Sequence, residues 1–291
     1  METAGEKCIK ERIMIMKSMN DKAVVEQQYK NADKLNIRIA LHERYSTNKV
    51  PFGDWIVSNY DIKQGSRVLE LGCGTGSMWK NHLHLLENGS TAVLSDFSEG
   101  MLNEAKENLG EQPNLEYQII NIQDIPYEDE SFDVVIANMM LYHVPDLKKG
   151  LSEVARVLKK DGTFYCATYG ENGIVQYLEG LLHEYGVNND MNKSFTLQNG
   201  EGKLREYFGE VIRLDREDGL EITNLDDFIE YIYSTTRMAN IADVDRDTLE
   251  QILRSRMVDG VIYIPKEYGM FVARKGINGI KPFEMLDIRG N

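Results

Sequence analysis

Cysteine is scarce: Cys8, Cys73 and Cys166 are the only three in 291 residues. An odd, widely spaced set supports neither a disulfide framework nor a zinc-ligand spacing. It leads us to expect a reducing, cytoplasmic compartment and no bound metal. No apolar run approaches the roughly 18 residues that a membrane helix requires, so no membrane insertion is expected. Ile13-Met14-Ile15-Met16 is too short for a signal-peptide core and lies between charges. Basic residues are in deficit as well: 33 Lys and Arg face 47 Asp and Glu, a formal charge of −14. Such a surface repels phosphate backbones, so nucleic acid is not an expected partner. Repeats, low-complexity tracts and linkers are missing too, which favours one domain.

What is present is organised around Arg67–Asp96. The apolar run Val68-Leu69-Glu70-Leu71 breaks into Gly72-Cys73-Gly74-Thr75-Gly76. A helical pattern follows (Trp79, Leu83, Leu86, closed by Gly89), then Ala92-Val93-Leu94, ending on Asp96. Strand, glycine loop, helix, strand and acid is the order by which a doubly wound α/β sheet holds a nucleoside-like cofactor. The dinucleotide pattern G-x-G-x-x-G fails in both frames, because Ser77 and Trp79 stand where the third glycine is needed. A P-loop is absent as well. The spacing suits S-adenosylmethionine better. Glycines let the backbone approach the ligand. Glu70 suits the cationic amino group or its water network, and the two oxygens of Asp96 suit the ribose hydroxyls. Cys73 reads as a small residue tolerated between glycines.

Further along, Ser98 reads as the N-cap of a helix through Met101, Ala105 and Leu109 that stops at Gly110. Leu115–Ile120 and Phe132–Ala137 read as strands. Pro145-Asp146 opens a helix with Leu147, Leu151, Val154 and Leu158 on one face, Lys159 and Lys160 at its negative end and Gly162 as its stop. Thr163–Thr168 is a fifth strand. Alternating strands and helices predict an α/β fold with a parallel sheet whose loops converge on one edge. Upstream, residues 21–49 read as two short helices, and Asp54 as the N-cap of a helix through Trp55, Ile56 and Tyr60. Downstream we expect helices through Ile174–Leu182, ending at Phe208, over Asp226–Tyr233 and over Thr248–Met257. Val211–Leu214 and Gly269–Lys275 are the expected late strands.

The ordered stretches 68–76, 95–102 (Ser-Asp-Phe-Ser-Glu-Gly-Met-Leu), 121–127 (Asn-Ile-Gln-Asp-Ile-Pro-Tyr), 131–138 (Ser-Phe-Asp-Val-Val-Ile-Ala-Asn) and 158–164 (Leu-Lys-Lys-Asp-Gly-Thr-Phe) carry a family resemblance. Residues 66–171 resemble the class I S-adenosylmethionine-dependent methyltransferases, in particular the small-molecule group that includes quinone-biosynthesis-like enzymes. The resemblance implies a Rossmann-like seven-stranded sheet, mostly parallel, with an antiparallel final strand near Met270–Arg274 and helical insertions forming a substrate lid. It implies that Glu70 and the backbone of Gly72, Cys73, Gly74 and Gly76 hold the methionine part. Asp96 would bind the ribose, with Phe97 and Met101 beside the adenine and Asn121, Ile122 and Gln123 along its polar edge. The family more often has Asp where Asn121 stands. Asn138 would lie beside the sulfonium. N-terminal helices carrying Tyr29, His42 and Tyr45 would fold over the cofactor, with packing against the sheet as the alternative.

On the acceptor side, the loop 138–144 follows the fourth strand. His143 is the candidate base by location and by its near-neutral pKa; a positioning histidine is the alternative. Tyr142 and Tyr169 are pocket wall or catalyst. The Asn/Asp-Pro-Pro-Tyr/Phe motif of many nucleic-acid methyltransferases is absent at Asn138-Met139-Met140-Leu141. The expectation is a loose tail over 1–20, a single domain over 21–275 and a tail over 276–291. Within the domain, 21–62 caps the cofactor, and 172–208 and 224–258 build the acceptor pocket. The expected protein is a monomer or homodimer that methylates a small molecule at O, N or C and leaves S-adenosylhomocysteine. A non-catalytic binder of the same cofactor, acting as sensor or partner subunit, is the alternative.

Overall fold

The computed structural model describes residues 32–235 and 238–276. Tyr29, the expected tail over 1–20 and residues 277–291 lie outside these. A seven-stranded sheet forms the centre, in the order β3-β2-β1-β4-β5-β11-β7. Its strands are β1 (Arg67–Leu71), β2 (Thr91–Asp96), β3 (Leu115–Ile119), β4 (Phe132–Ile136), β5 (Leu158–Tyr169), β7 (Glu210–Arg216) and β11 (Tyr268–Arg274). β1 through β5 pair in parallel, and β11 runs antiparallel between β5 and β7. The expected mostly parallel sheet with one antiparallel strand is therefore the observed one.

Each face of the sheet carries its own core. Leu69, Leu71, Val135, Phe164 and Phe271 pack on one side with α4 (Leu147–Val157) and α5 (Ile174–Leu182). Val68, Leu94, Val134, Ile136 and Met270 pack on the other with α2 (Phe52–Val57), Trp79 and the end of α3 (Glu99–Leu109). Burial on both faces is why the central strands read as apolar runs and not as alternation. Ser98 and Asp146 cap α3 and α4, each accepting a backbone N–H three residues on.

Several local expectations are corrected. No α-helix follows the glycine loop: residues 77–82 turn, and only Leu83–Leu86 forms a 3-10 helix. Asn81, His82 and His84 are weak helix formers, and Trp79 is held in the core by a tertiary hydrogen bond described below. Of the stretch 21–49, expected as two short helices, the described part from residue 32 holds α1 (Ala32–Tyr45), and residues 21–31 lie outside the described residues. Asp54 lies inside α2, whose N-cap is Pro51 without a side-chain bond. Lys159, Lys160 and Gly162 belong to β5 and not to a helix end. The strand starts at once and shifts register against β4 between Phe132 and Val134. A Cβ on Gly162 would lie 2.9 Å from the Asp133 carbonyl oxygen, so this close approach, not a helix stop, accounts for the glycine. The helix expected to end at Phe208 is only α6 (Gly200–Leu204).

Two small sheets were not anticipated. β8 (Gly219–Ile222) pairs antiparallel with β10 (Ile262–Pro265), and β6 (Asn188–Asn189) with β9 (Met238–Ala239). The β8–β10 pair, α7 (Leu225–Ser234), α8 (Arg246–Arg254) and α1 form the insertion that lies beside the sheet. Arg44 and Tyr45 clamp α1 to α7 through Asp227, the Tyr45 hydroxyl donating to its carboxylate at 2.6 Å.

Candidate active site

Parallel pairing brings the ends of β1, β2, β3 and β4 to one edge. The loops after Leu71, Asp96, Ile119 and Ile136 therefore meet there. Gly72, Gly74 and Gly76 all have positive φ, a region that costs other residues about 1–2 kcal/mol. Their surroundings differ. A Cβ on Gly72 would lie 3.0 Å from the Met140 side chain, and one on Gly76 would lie 2.8 Å from Leu109. A Cβ on Gly74 would meet nothing within 4 Å. Gly72 and Gly76 are thus packing glycines, whereas Gly74 faces open space. The Cys73 side chain packs towards the α2 core, and burial raises its thiol pKa, which argues against a reactive role.

Two carboxylates flank this loop. Glu70 is buried at 3% exposure, and its carboxylate accepts the Trp79 indole N–H at 2.5 Å. Burial pushes its pKa up to about 7; the Trp79 bond opposes this and the nearby Asp96 charge adds to it. Asp96 accepts Gly74 N–H at 2.9 Å through one oxygen and Ser98 N–H at 2.8 Å through the other. Burial raises its pKa against these donors. Phe97 is half exposed, with Met101 in the first turn of α3. Asn121 accepts Gln123 N–H at 2.9 Å, Gln123 in turn accepts Asp146 N–H at 2.7 Å, and the Ile122 side chain is buried in the α4 core.

At the end of β4, Asn138 accepts Ala167 N–H at 3.0 Å and donates to the Tyr60 hydroxyl at 2.6 Å. The Met78 sulfur lies 3.6 Å from the same amide nitrogen. Burial pushes the Tyr60 phenol well above its usual pKa, with Glu70 adding to the effect. Met139, the next residue, has φ of 53°, and its N–H donates to Ala167 O at 2.8 Å. Backbone held in that region at a strand end is a common mark of a functional loop. Tyr60, Met78 and Trp79 were not picked out as site residues from the sequence. Their partners are far along the chain, so no local motif announces them.

Beyond Met139 the edge becomes aromatic. Tyr142 lies between His143 and Tyr169, with ring centroids 4.5 and 4.6 Å away. The Tyr142 carbonyl oxygen is held by Asn192 and Ser194 from the segment after β6. Tyr169 faces Tyr268 across the β5–β11 register. Tyr268 meets Phe52 at 5.3 Å and His42 at 6.5 Å, and His42 meets Tyr231 at 5.7 Å. The structure thus brings together Glu70, the glycine loop, Asp96, Phe97 and Asn138, and it adjoins His143 and Tyr142 to an aromatic wall. Tyr45 belongs instead to the α1–α7 contact. A separate groove of about 520 Å³ lies at the opposite edge, lined by Leu83, Glu87, Thr91 and Asn114, away from these groups. Among the described residues no group of three or more His, Cys, Asp or Glu side chains could hold a metal, and no helix is long and apolar enough to cross a membrane.

Comparison with known proteins agrees with this geometry. Residues 69–166 match the family described as methyltransferase domain. A demethylmenaquinone methyltransferase of Clavibacter sepedonicus is 38% identical over 34% of this chain and 39% of its own length. A ubiquinone/menaquinone biosynthesis C-methyltransferase of Francisella philomiragia is 27% identical over 71% of this chain and 72% of its own length. This chain thus spans between about two fifths and three quarters of these relatives. A solved structure from Bacillus halodurans, a candidate methyltransferase, superposes with a TM-score of 0.52 at 18% identity, over 78% of this chain and 99% of that one. At that identity the likeness concerns the fold. The glycine loop, its two carboxylates and the seven-stranded order thus lie in a chain whose residues 69–166 match a methyltransferase domain and whose fold is that of the Bacillus halodurans structure.

Proposed function

We propose that this protein binds S-adenosylmethionine and transfers its methyl group to O, N or C of a small molecule, leaving S-adenosylhomocysteine. The observation that carries the reading is the cradle itself: an open-faced Gly74 between two carboxylates, Glu70 and Asp96. The residues fit such a ligand. Glu70 offers buried negative charge to an ammonium group. Asp96 oxygens, already taking one backbone donor each, retain lone pairs for two ribose hydroxyls. The half-exposed Phe97 ring can cover an adenine, with Met101 beside it. Asn121, Ile122 and Gln123 would line the polar edge of that ring system.

When bound, the cofactor supplies a sulfonium methyl with a good leaving group. The chain's own task is then to align and to exclude water. Asn138, fixed by Ala167 and Tyr60, holds the end of β4 rigid at the reacting edge. His143 is the group positioned to take a proton where the acceptor must lose one, with Tyr142 as the wall behind it. The names of the relatives support a finer reading, carbon methylation of a quinone-type ring. Incubation with methyl-labelled S-adenosylmethionine and a small-molecule extract tests this reading, with Asp96→Ala as control. Label should pass to a small molecule with the unsubstituted protein only. Cofactor binding without any label transfer would favour a non-catalytic binder.

A further inference from the structure

A buried ion cluster lies behind the aromatic wall, outside the cofactor cradle. Arg216 ends β7, Lys266 follows β10 and Asp218 precedes β8. Their side chains are 2%, 6% and 1% exposed. Both cations share the single Asp218 carboxylate, Lys266 at 2.5 Å. That carboxylate also takes Asn48 N–H, the Thr47 hydroxyl and Gly219 N–H, so its capacity is used. Among the described residues no second carboxylate lies within 4 Å of either cation. Arg216 donates further to Val50 O and Lys266 to the Ser46 hydroxyl, both neutral acceptors. Two buried cations therefore face one buried anion. The Arg216 Nε hydrogen has no acceptor at all. An excess buried charge is costly unless something of opposite sign comes to it.

The position of the cluster says what that is. Arg216 is the register partner of Tyr268, which in turn pairs with Tyr169 beside Tyr142, so the cluster adjoins the aromatic end of the candidate site. Its guanidinium carbon is 5.7 Å from the Phe52 ring centre, and the Lys266 nitrogen is 5.8 Å from that of Tyr268. The same two rings contact each other, and His42 and Tyr231 continue the wall. Flat aromatic surface backed by surplus positive charge is complementary to one kind of molecule. We propose that the methyl acceptor is an aromatic acid, its ring against Phe52 and Tyr268 and its carboxylate drawn to Arg216 and Lys266. The inference rests on the methyltransferase reading, names the substrate class of that same site, and replaces the quinone-type ring that the relatives' names suggest.

The probes are 2-naphthoate, its neutral amide 2-naphthamide, and acetate, titrated against the full chain with S-adenosylhomocysteine present. Trp55 stacks on Phe52 at 6.1 Å, so tryptophan fluorescence reports binding alongside calorimetry. Naphthoate should bind about tenfold to a hundredfold more tightly than the amide, the range expected of a charge-assisted hydrogen bond. Acetate, which lacks the ring, should bind far more weakly. Arg216→Gln and Lys266→Met should each erase the preference for carboxylate over amide while leaving S-adenosylhomocysteine affinity unchanged. A purely structural cluster would not make that selective change. Should either variant fail to fold, the carboxylate-to-amide ratio of the unsubstituted protein still decides. Equal affinity for acid and amide, or a preference that survives both substitutions, overturns the proposal. Absence of S-adenosylhomocysteine binding in the unsubstituted protein would instead strike the methyltransferase reading, and a second naphthoate and amide titration without S-adenosylhomocysteine keeps the two failures apart.

Discussion

Glu70→Gln isolates the cost of keeping a carboxylate ready for a cation. The native side chain has 3% exposure and a pKa pushed from 4.5 to about 7. Between those values the folded chain binds a proton that the unfolded chain releases, so stability falls as pH rises through the window. At about 1.4 kcal/mol for each pH unit, the full penalty is about 3 kcal/mol and is present at pH 8. Gln keeps an oxygen for the Trp79 indole and carries no charge. Urea unfolding should therefore find the variant more stable by about 3 kcal/mol at pH 8, the difference shrinking below about 1 kcal/mol at pH 5. Cofactor titration should move the opposite way. The native chain should bind S-adenosylmethionine more tightly as pH rises through about 7, and the variant should show no such gain. Parallel stability curves for the two proteins across pH 5–8 would refute the reasoning. They would mean that Glu70 stays ionised in the folded state and that its burial is compensated by groups other than Trp79.

Other substitutions separate binding from folding. Asp96→Ala should weaken S-adenosylmethionine affinity by about 2 kcal/mol, read by calorimetry, as loss of a charged hydrogen-bonding partner implies; unchanged affinity would remove Asp96 from the site. Gly76→Ala should lower the melting temperature sharply, because its Cβ would lie 2.8 Å from Leu109. Gly74→Ala meets no protein atom and should cost only about 1–2 kcal/mol of backbone strain, yet impair cofactor binding more than stability. His143→Asn should lower turnover and flatten its pH profile near neutrality; a variant with both intact would leave His143 as wall.

Much of this architecture was legible because its signals are local. A strand breaking into three alternating glycines, Ser98 and Asp146 before helices, and Asp96 at a strand end each act within a few residues. The seven-stranded order came from the family resemblance, and the strand pairing agrees with it. What escaped reading depends on distant partners. Trp79 leaves the expected helix because Glu70 holds its indole, and Lys160 lies in a strand because β5 bulges against Asp133. Tyr60 reaches Asn138 from the turn after α2, and the β8–β10 pair forms around Asp218, which takes donors from residues 47 and 48 as well as from Lys266. No local pattern marks Arg216, because the residue that its guanidinium reaches at Val50 is 166 positions away.

The central claim is a cradle for S-adenosylmethionine, and calorimetry with S-adenosylmethionine, S-adenosylhomocysteine and NAD tests it most directly. The first two should bind at one site per chain, with NAD silent. Binding of NAD alone, or of none of the three, would contradict the account.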